Sequence, residues 1–245
     1  MNNLVAFWSI LMKDMKNYYL KPPNISWGII FPISWTLMFF VRSGSVEVDI
    51  RSILPGVMSL SILFGTTSML AVTITFERKS RSFERLLLSP IGLNLLMLAK
   101  TTGAILFGII NAFIPVILAL LIVDLSGIFW LAVLAGVTLI AITSTFLGLF
   151  IAVAVNEVFE AQTFSNFFRF PMMFLCGLFI PIESLPIFLR PVSFVLPLTY
   201  GADTLKHYIN GNGIIAPWLN FLTLLGFAFL LFTISTRNIK KKWIY

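Results

Sequence analysis

Long apolar runs alternate with short polar segments along the chain. The runs occupy residues 24–41, 53–76, 101–123, 127–155, 161–180 and 217–236, and only the fifth contains a charge, Arg169. About 20 helical residues span the ~30 Å hydrocarbon core of a bilayer. The pattern therefore predicts an all-α integral membrane protein with six transmembrane helices. Without an internal repeat or a linker, residues 1–245 are predicted to form a single domain.

The segment before the first run shows helical periodicity. Apolar side chains recur every three or four residues: Leu4, Phe7, Trp8, Leu11, Met15 and Tyr18. Lys13, Lys16 and Asn17 fall on the other side, and the two prolines of "KPPN" end the pattern. Residues 3–21 are therefore predicted to form an amphipathic helix that lies in the membrane interface.

Four prolines, at positions 181, 186, 191 and 197, interrupt the segment that follows the fifth run. Residues 181–212 are too apolar for a water-exposed loop and too broken for two spans. An outer re-entrant helical hairpin between spans 5 and 6, shielded by protein, satisfies both constraints.

The basic residues predict the orientation. Six spans place both termini on one side. If that side is cytoplasmic, 12 of the 17 basic residues lie inside, four lie outside, and Arg169 lies within the membrane. Basic residues concentrate in cytoplasmic loops, so both termini are predicted to be cytoplasmic. Because the net charge of +7 is confined to clusters between apolar runs, it fits anionic lipid, and no nucleic-acid partner is predicted.

The sequence lacks the residues of an autonomous enzyme or pump. It has no Gly-rich phosphate loop, a single histidine, His207, and a single cysteine, Cys176. Its acids fall at the ends of the runs rather than in pairs at membrane depth. We therefore predict no catalytic, cofactor or metal site in this chain, and any active function must draw its energy from another chain.

A charged segment joins the second and third runs. Phe83, Leu86 and Leu87 share one face of a predicted helix over residues 77–89, and Glu77 and Arg81 have the spacing of an i,i+4 ion pair. Ser89 and Pro90 end the helix. A four-residue turn would suffice as a connection, so the helix is predicted to dock on a cytoplasmic partner, with the membrane surface as the alternative.

Two motifs resemble the ABC-2 type transporter permeases, including those of daunorubicin resistance and of lipooligosaccharide or polysaccharide export. The first is "FERKSRSFERLLLSP", which is similar to the loop that docks on the ATPase. The second is "FRFPMMFLCGLFIPIESLPIFLRPVSFVLPLTYGADTLK", which is similar to the fifth span and its cap. Two residues depart from the pattern: Arg81 replaces a frequent glycine, and Lys79 stands at a frequently acidic position.

The resemblance implies a permease subunit of an ATP-driven exporter, multi-pass in the prokaryotic cytoplasmic (inner) membrane and not itself an enzyme. It further implies a second permease copy, with a homodimer expected, and two ABC ATPase subunits that bind ATP and Mg. The aromatic content slightly favours a hydrophobic or amphiphilic substrate. The alternatives are an ATP-independent enzyme acting on membrane lipid and a non-transporting scaffold that recruits an ATPase.

Three groups of candidate residues follow from the motifs. ATPase coupling is assigned to the charged segment: Glu77, Arg81, Ser82, Phe83, Glu84, Arg85, Leu87, Ser89 and Pro90. Glu84 and Arg85 are expected to make charged contacts while Phe83 and Leu87 fill a groove, the alternative for Glu84 being an ordinary surface charge.

The other two groups lie in the second motif. Arg169, Pro171 and Gly177 are assigned to the translocation path or the dimer seam, although Arg169 has the alternative of snorkelling to the cytoplasmic side. Pro181, Pro186, Pro197 and Tyr200 are assigned to an outer gate, with a simple bilayer plug as the alternative.

Overall fold

The structure is a computed structural model that describes residues 3–21, 30, 33–34, 37–38 and 49–244. These residues contain helices and no strand, which confirms the all-α prediction for this part of the chain. In chain order the α-helices are α1 (Asn3–Asp14), α2 (Ile50–Lys79), α3 (Ser82–Leu87), α4 (Leu93–Leu120), α5 (Trp130–Ala154), α6 (Val158–Leu175), α7 (Arg190–Val195), α8 (Pro197–Asn210) and α9 (Pro217–Ile239). Most of the predicted first span, 24–41, lies outside the described residues, which include only 30, 33–34 and 37–38 of it.

Four described helices are long and apolar enough to cross a membrane: α2, α4, α5 and α9. They overlap the predicted runs 53–76, 101–123, 127–155 and 217–236. At 1.5 Å per residue, the 30 residues of α2 extend for about 45 Å, so its ends project beyond the hydrocarbon core. Asp49 caps its first turn by accepting a hydrogen bond from the Arg51 amide at 3.0 Å.

Helix α2 is the centre of the bundle. It packs against α4, α5, α6 and α8, and 89% of its most apolar 18-residue window is buried, against 28% for α9. The side chains of α2 therefore contact mainly other helices of the protein. Helix α9 presents most of its apolar side chains outward, as a lipid-facing helix does.

Helix α6 corrects the predicted fifth span. It ends at Leu175 rather than continuing to residue 180, because Gly177 adopts the left-handed conformation at φ 71° and breaks the helix. Its 18 residues include Glu160 and Arg169 and are less apolar than the longest apolar stretches of α2, α4, α5 and α9. Glu157 and Glu160 form a capping box at its start.

Short helices form the region predicted as a hairpin, residues 181–212. A 3₁₀ turn at Ile182–Ser184 precedes α7 and α8, and α8 packs on α2, α5 and α9. The side chains of Ile187 and Phe188, between the 3₁₀ turn and α7, are exposed. This end of the bundle, which also contains the start of α2, is called the hairpin end below.

The N-terminal helix buries only part of its apolar surface against the bundle. Helix α1 continues as one π-helical turn at Met15–Tyr19 and lies against α4. Ala6, Ile10 and Leu11 are buried, whereas Leu4 and Trp8 are exposed. Helix α1 therefore has one apolar side against the bundle and another that faces outward, and its position in the membrane interface stays a prediction.

Candidate functional site

The charged segment, residues 77–92, leaves the end of α2 through a tight turn. Residues 77–79 belong to α2, so the predicted helix over 77–89 is shorter than expected and forms only α3. Arg81 separates the two helices because its backbone is left-handed, with φ 56° and ψ 11°. The hydroxyls of Ser80 and Ser82 both donate to the Glu77 carbonyl, at 3.1 and 3.2 Å.

Helix α3 has an inner and an outer face. Phe83 is 1% exposed and packs edge-on against Trp243, with ring centroids 5.1 Å apart. The guanidinium of Arg78 lies 4.3 Å from the same indole centroid. The prediction that Phe83 fills a groove on a partner is wrong in this structure, because its ring is enclosed by the C-terminal segment of its own chain.

Between the turn at Arg81 and Leu88, the residue that follows α3, the exposed side chains are Arg81, Glu84, Arg85 and Leu88. Leu88 is 87% exposed, whereas the predicted contact Leu87 is half-buried. Ser82 and Ser89 are half-buried and Pro90 is exposed. The segment therefore presents two basic side chains, one acid and one apolar side chain on a single projection, called the outer face below.

Glu77 does not belong to this projection. Its carboxylate is fully buried and binds the ammonium groups of Lys13, at 2.8 Å, and Lys100. Lys100 also binds Asp14 at 3.1 Å, and Lys13 lies 3.2 Å from Asp14. The predicted ion pair between Glu77 and Arg81 is therefore wrong: Glu77 faces the bundle, and Arg81 turns the chain away.

These four residues, Lys13, Asp14, Glu77 and Lys100, form what we call the charge ring. Its members come from α1, α2 and α4, and all but Lys13 are buried. Burial lowers the pKa of Lys13, but its hydrogen bond to Glu77 and the charges of Asp14 and Glu77 outweigh that effect, so its pKa lies above the usual value. Lys13 therefore remains protonated throughout the physiological pH range.

Lys79 and Lys242 lie at the same end of the bundle as the charge ring. Lys79 pairs with Glu157, and the Lys242 ammonium donates to the Val153 carbonyl, 3.3 Å away. This concentration of positive side chains defines the basic end of the bundle. It is opposite the hairpin end, because α2 starts at one and finishes at the other.

Arg169 is buried on α6, at 3% exposure. Its guanidinium carbon lies 4.5 Å from the centroid of the Phe64 ring, its Nε donates to the Ser165 carbonyl at 3.3 Å, and a terminal nitrogen donates to Asn166. Within residues 3–21 and 49–244, no carboxylate forms an ion pair with it. A buried guanidinium is costly without a counter-charge, so this site stands out chemically.

Pro171 and Gly177 occupy different surroundings from Arg169. Pro171 lies within α6 and is exposed, whereas Gly177 is buried and accepts a hydrogen bond from Lys206 through its carbonyl. The structure therefore does not gather the three residues into one site.

The proposed gate residues lie around the hairpin. Pro181 and Pro186 are exposed, Pro197 begins α8, and the Tyr200 hydroxyl donates to the Phe194 carbonyl at 2.7 Å. A cavity of about 410 Å³ opens nearby, and Pro181 is part of its lining. Asp203, another lining residue, is engaged by its own loop, because it accepts hydrogen bonds from the Ile214 and Ile215 amides.

Sequence reasoning missed Asp14, Lys100 and Trp243 as site residues. Asp14 and Lys100 were visible only as charges at the edges of apolar runs, and their pairing joins positions 86 residues apart. Trp243 was recognised only as an aromatic residue beside the basic C-terminus, and nothing in the sequence indicated that it packs on Phe83. Leu88 was part of the recognised motif, and only the turn at Arg81 reveals which leucine faces outward.

The comparisons with known proteins agree with the motifs. A sequence model of the ABC-2 type transporter family matches residues 5–210. The inner membrane transport permease YadH of Escherichia coli K12 is 23% identical over 204 residues, covering 80% of this chain and 79% of that protein. The permeases of the same name from Escherichia coli O157:H7 and Shigella flexneri match to the same extent. The matched region runs from α1 through the charged segment to the end of α8.

Proposed function

Because this chain belongs to the ABC-2 type transporter family, we propose that it is the membrane-spanning permease subunit of an ATP-driven exporter. The family match over residues 5–210 carries this proposal. It is supported by the outer face of the charged segment, which projects from the basic end of a bundle of apolar helices. We place the protein in the prokaryotic inner membrane, as the name of its relative does for that permease.

The outer face is proposed to dock on a separate ABC ATPase. Arg81, Glu84 and Arg85 would make charged contacts there, and Leu88 replaces Phe83 as the apolar contact because it is the exposed side chain. Charges around one apolar side chain are typical of a docking surface whose rim selects the partner and whose centre excludes water.

The working assembly is proposed to contain two permease copies, expected to be identical, and two ATPase subunits that hold ATP and Mg. Closure of the ATPases would push the charged segments and rock the helix bundles toward the hairpin end. Arg169 has no described counter-charge, which supports a place at the path or at the seam between copies. The hairpin, with its exposed Ile187 and Phe188, would cover the exit.

The test is purification of the tagged permease from native membranes, with co-purifying ATPase quantified by mass spectrometry. We expect wild type to retain an ABC ATPase, and Glu84→Arg and Leu88→Asp to lose roughly nine-tenths of it, since each places an unpaired charge at the contact. Lys240→Glu is the matched control, because Lys240 is exposed but outside the outer face.

Each result has a separate meaning. If wild type retains no ABC ATPase, the permease assignment fails. If both variants retain as much ATPase as wild type, the docking surface is wrong although the assignment stands. A bound ATPase without ATP-dependent export from vesicles would indicate the scaffold alternative.

A further inference from the structure

The charge ring closes on itself. Lys13 contacts Asp14 and Glu77, and Lys100 contacts the same two carboxylates from inside the bundle. Positive and negative groups therefore alternate around all four contacts, and the ring carries no net charge. Removal of any one member leaves an uncompensated charge. Without Lys13 or Lys100 it lies on the buried carboxylates of Asp14 and Glu77, and without either carboxylate it is shared by Lys13 and the buried Lys100.

The burial of the charge ring points to a role in positioning α1, α2 and α4 rather than in raising the free energy of unfolding. Removing two ion pairs from water costs about as much as their attraction returns, so apolar residues of the same size would hold the helices as well. Apolar side chains can stay in contact when two helices shift slightly against each other. Buried ion pairs restrict the helices to few relative positions, because other arrangements leave a buried charge unpaired.

The ring meets the charged segment at Glu77. The side chain of Glu77 binds α1 and α4, while its carbonyl accepts the hydroxyls of Ser80 and Ser82 in the turn. Force applied to the outer face can thus reach α1 and α4 through the Glu77 side chain, in addition to the apolar cluster that Phe83 shares with Ile10 and Leu96. The left-handed turn at Arg81, only four residues further on, leaves little chain in which such a force could be absorbed.

We propose that the charge ring is the joint that makes α1, the charged segment and the start of α4 move as one rigid body, with Glu77 and Lys100 as its positioning residues. The inference rests on the proposed function for the source of the force, but the joint itself is a property of the permease alone. It assigns α1 a role in transmitting ATP-driven motion from the charged segment to α4.

The experiment measures the distance between spin labels on α1 and at the start of α4. Lys16→Cys and Gly92→Cys place the labels in a Cys176→Ala background, because both positions are exposed and a side chain at Gly92 meets open space. In the purified permease without ATPase we expect one narrow distance distribution. Glu77→Gln or Lys100→Met should make the distance distribution roughly twice as wide, since α1 is then free to sample further positions relative to α4.

Two further variants separate the ring from a general effect of charge. Lys79→Met breaks an exposed ion pair in the same segment and should leave the distribution narrow. The exchange Glu77→Lys with Lys100→Glu should widen it as much as the single changes, because the introduced carboxylate would face Asp14 and the introduced ammonium would face Lys13. An isolated ion pair would tolerate that exchange. A narrow distribution in the single variants, or in the exchange, overturns the proposal.

A second arm adds the co-purified ATPase and a non-hydrolysable ATP analogue. The distance between the labels should stay the same in the wild-type ring, and an ATP-dependent change in this distance would contradict rigid-body motion. If no ATPase binds, the proposed function fails while the first arm still decides whether the ring is a joint.

Discussion

The backbone of Arg81 is the least expected feature at the scale of single residues. It is the one non-glycine residue with positive φ in the described part of the chain. A left-handed conformation costs a side-chain-bearing residue about 1–2 kcal/mol, whereas glycine adopts it freely. A glycine at this position would form the turn without that cost, whereas this chain forms it with an arginine.

We therefore expect Arg81→Gly to retain the fold with equal or slightly higher stability. Arg81→Val should lower the free energy of unfolding by about 1–2 kcal/mol, because a β-branched side chain fits the left-handed region worst. Thermal unfolding of the purified permease in detergent measures both changes. Equal stability of the valine and glycine variants would show that the turn relaxes when its residue changes.

At the scale of helices, the two sides of α3 separate stability from docking. Phe83 is enclosed against Trp243, so Phe83→Ala should cost about 3–5 kcal/mol of unfolding free energy. Leu88→Ala should change stability by less than about 0.5 kcal/mol while weakening ATPase retention. Thermal unfolding and co-purification, measured on the same two variants, test the separation. The reverse pattern would place the docking face on Phe83.

The packing of α2 against α5 depends on a glycine. A methyl group at Gly148 would lie 2.4 Å from the Thr67 carbonyl oxygen, and backbone cannot move aside as a flexible side chain can. Small residues allow such close approach between membrane helices. Gly148→Ala should therefore lower the free energy of unfolding by about 1–3 kcal/mol.

Gly226 provides the control, because a methyl group there meets nothing within 4 Å. Gly226→Ala on the outward-facing α9 should not destabilise the protein. The same detergent unfolding assay measures both variants, and an equal loss in both would show that close packing at Gly148 does not determine the effect, since alanine has the higher helix propensity.

At the scale of the whole molecule, the two ends of the bundle predict opposite sides of the membrane. The basic end holds Lys13, Lys79 and Lys242, and basic loops are retained in the cytoplasm. In a Cys176→Ala background, Lys16→Cys should react with a membrane-impermeant maleimide only after cell lysis. Asn212→Cys, exposed at the hairpin end, should react in intact spheroplasts. Reaction at both positions from one side would exclude this topology.

The sequence predicted helical spans better than it predicted the site. Hydropathy is a local property, so the cores of α2, α4, α5 and α9 could be located from consecutive residues alone. The end of α6 depended on a single glycine conformation, and the extent of α3 depended on the turn at Arg81. Glu77 was assigned to the docking surface because its partners, Lys13 and Lys100, are 64 and 23 residues away. A helical pattern shows which residues share a face, but it does not show what covers that face.

The position of the charge ring in the chain also bears on how the protein is made. Its last member, Lys100, is synthesised before any residue of α5 to α9. Until then Glu77 has only one of its two cations, and afterwards the ring needs no charge from later helices. The first 100 residues thus complete their own electrostatic balance, so α5 and the helices after it join a half of the bundle whose buried charges are already paired.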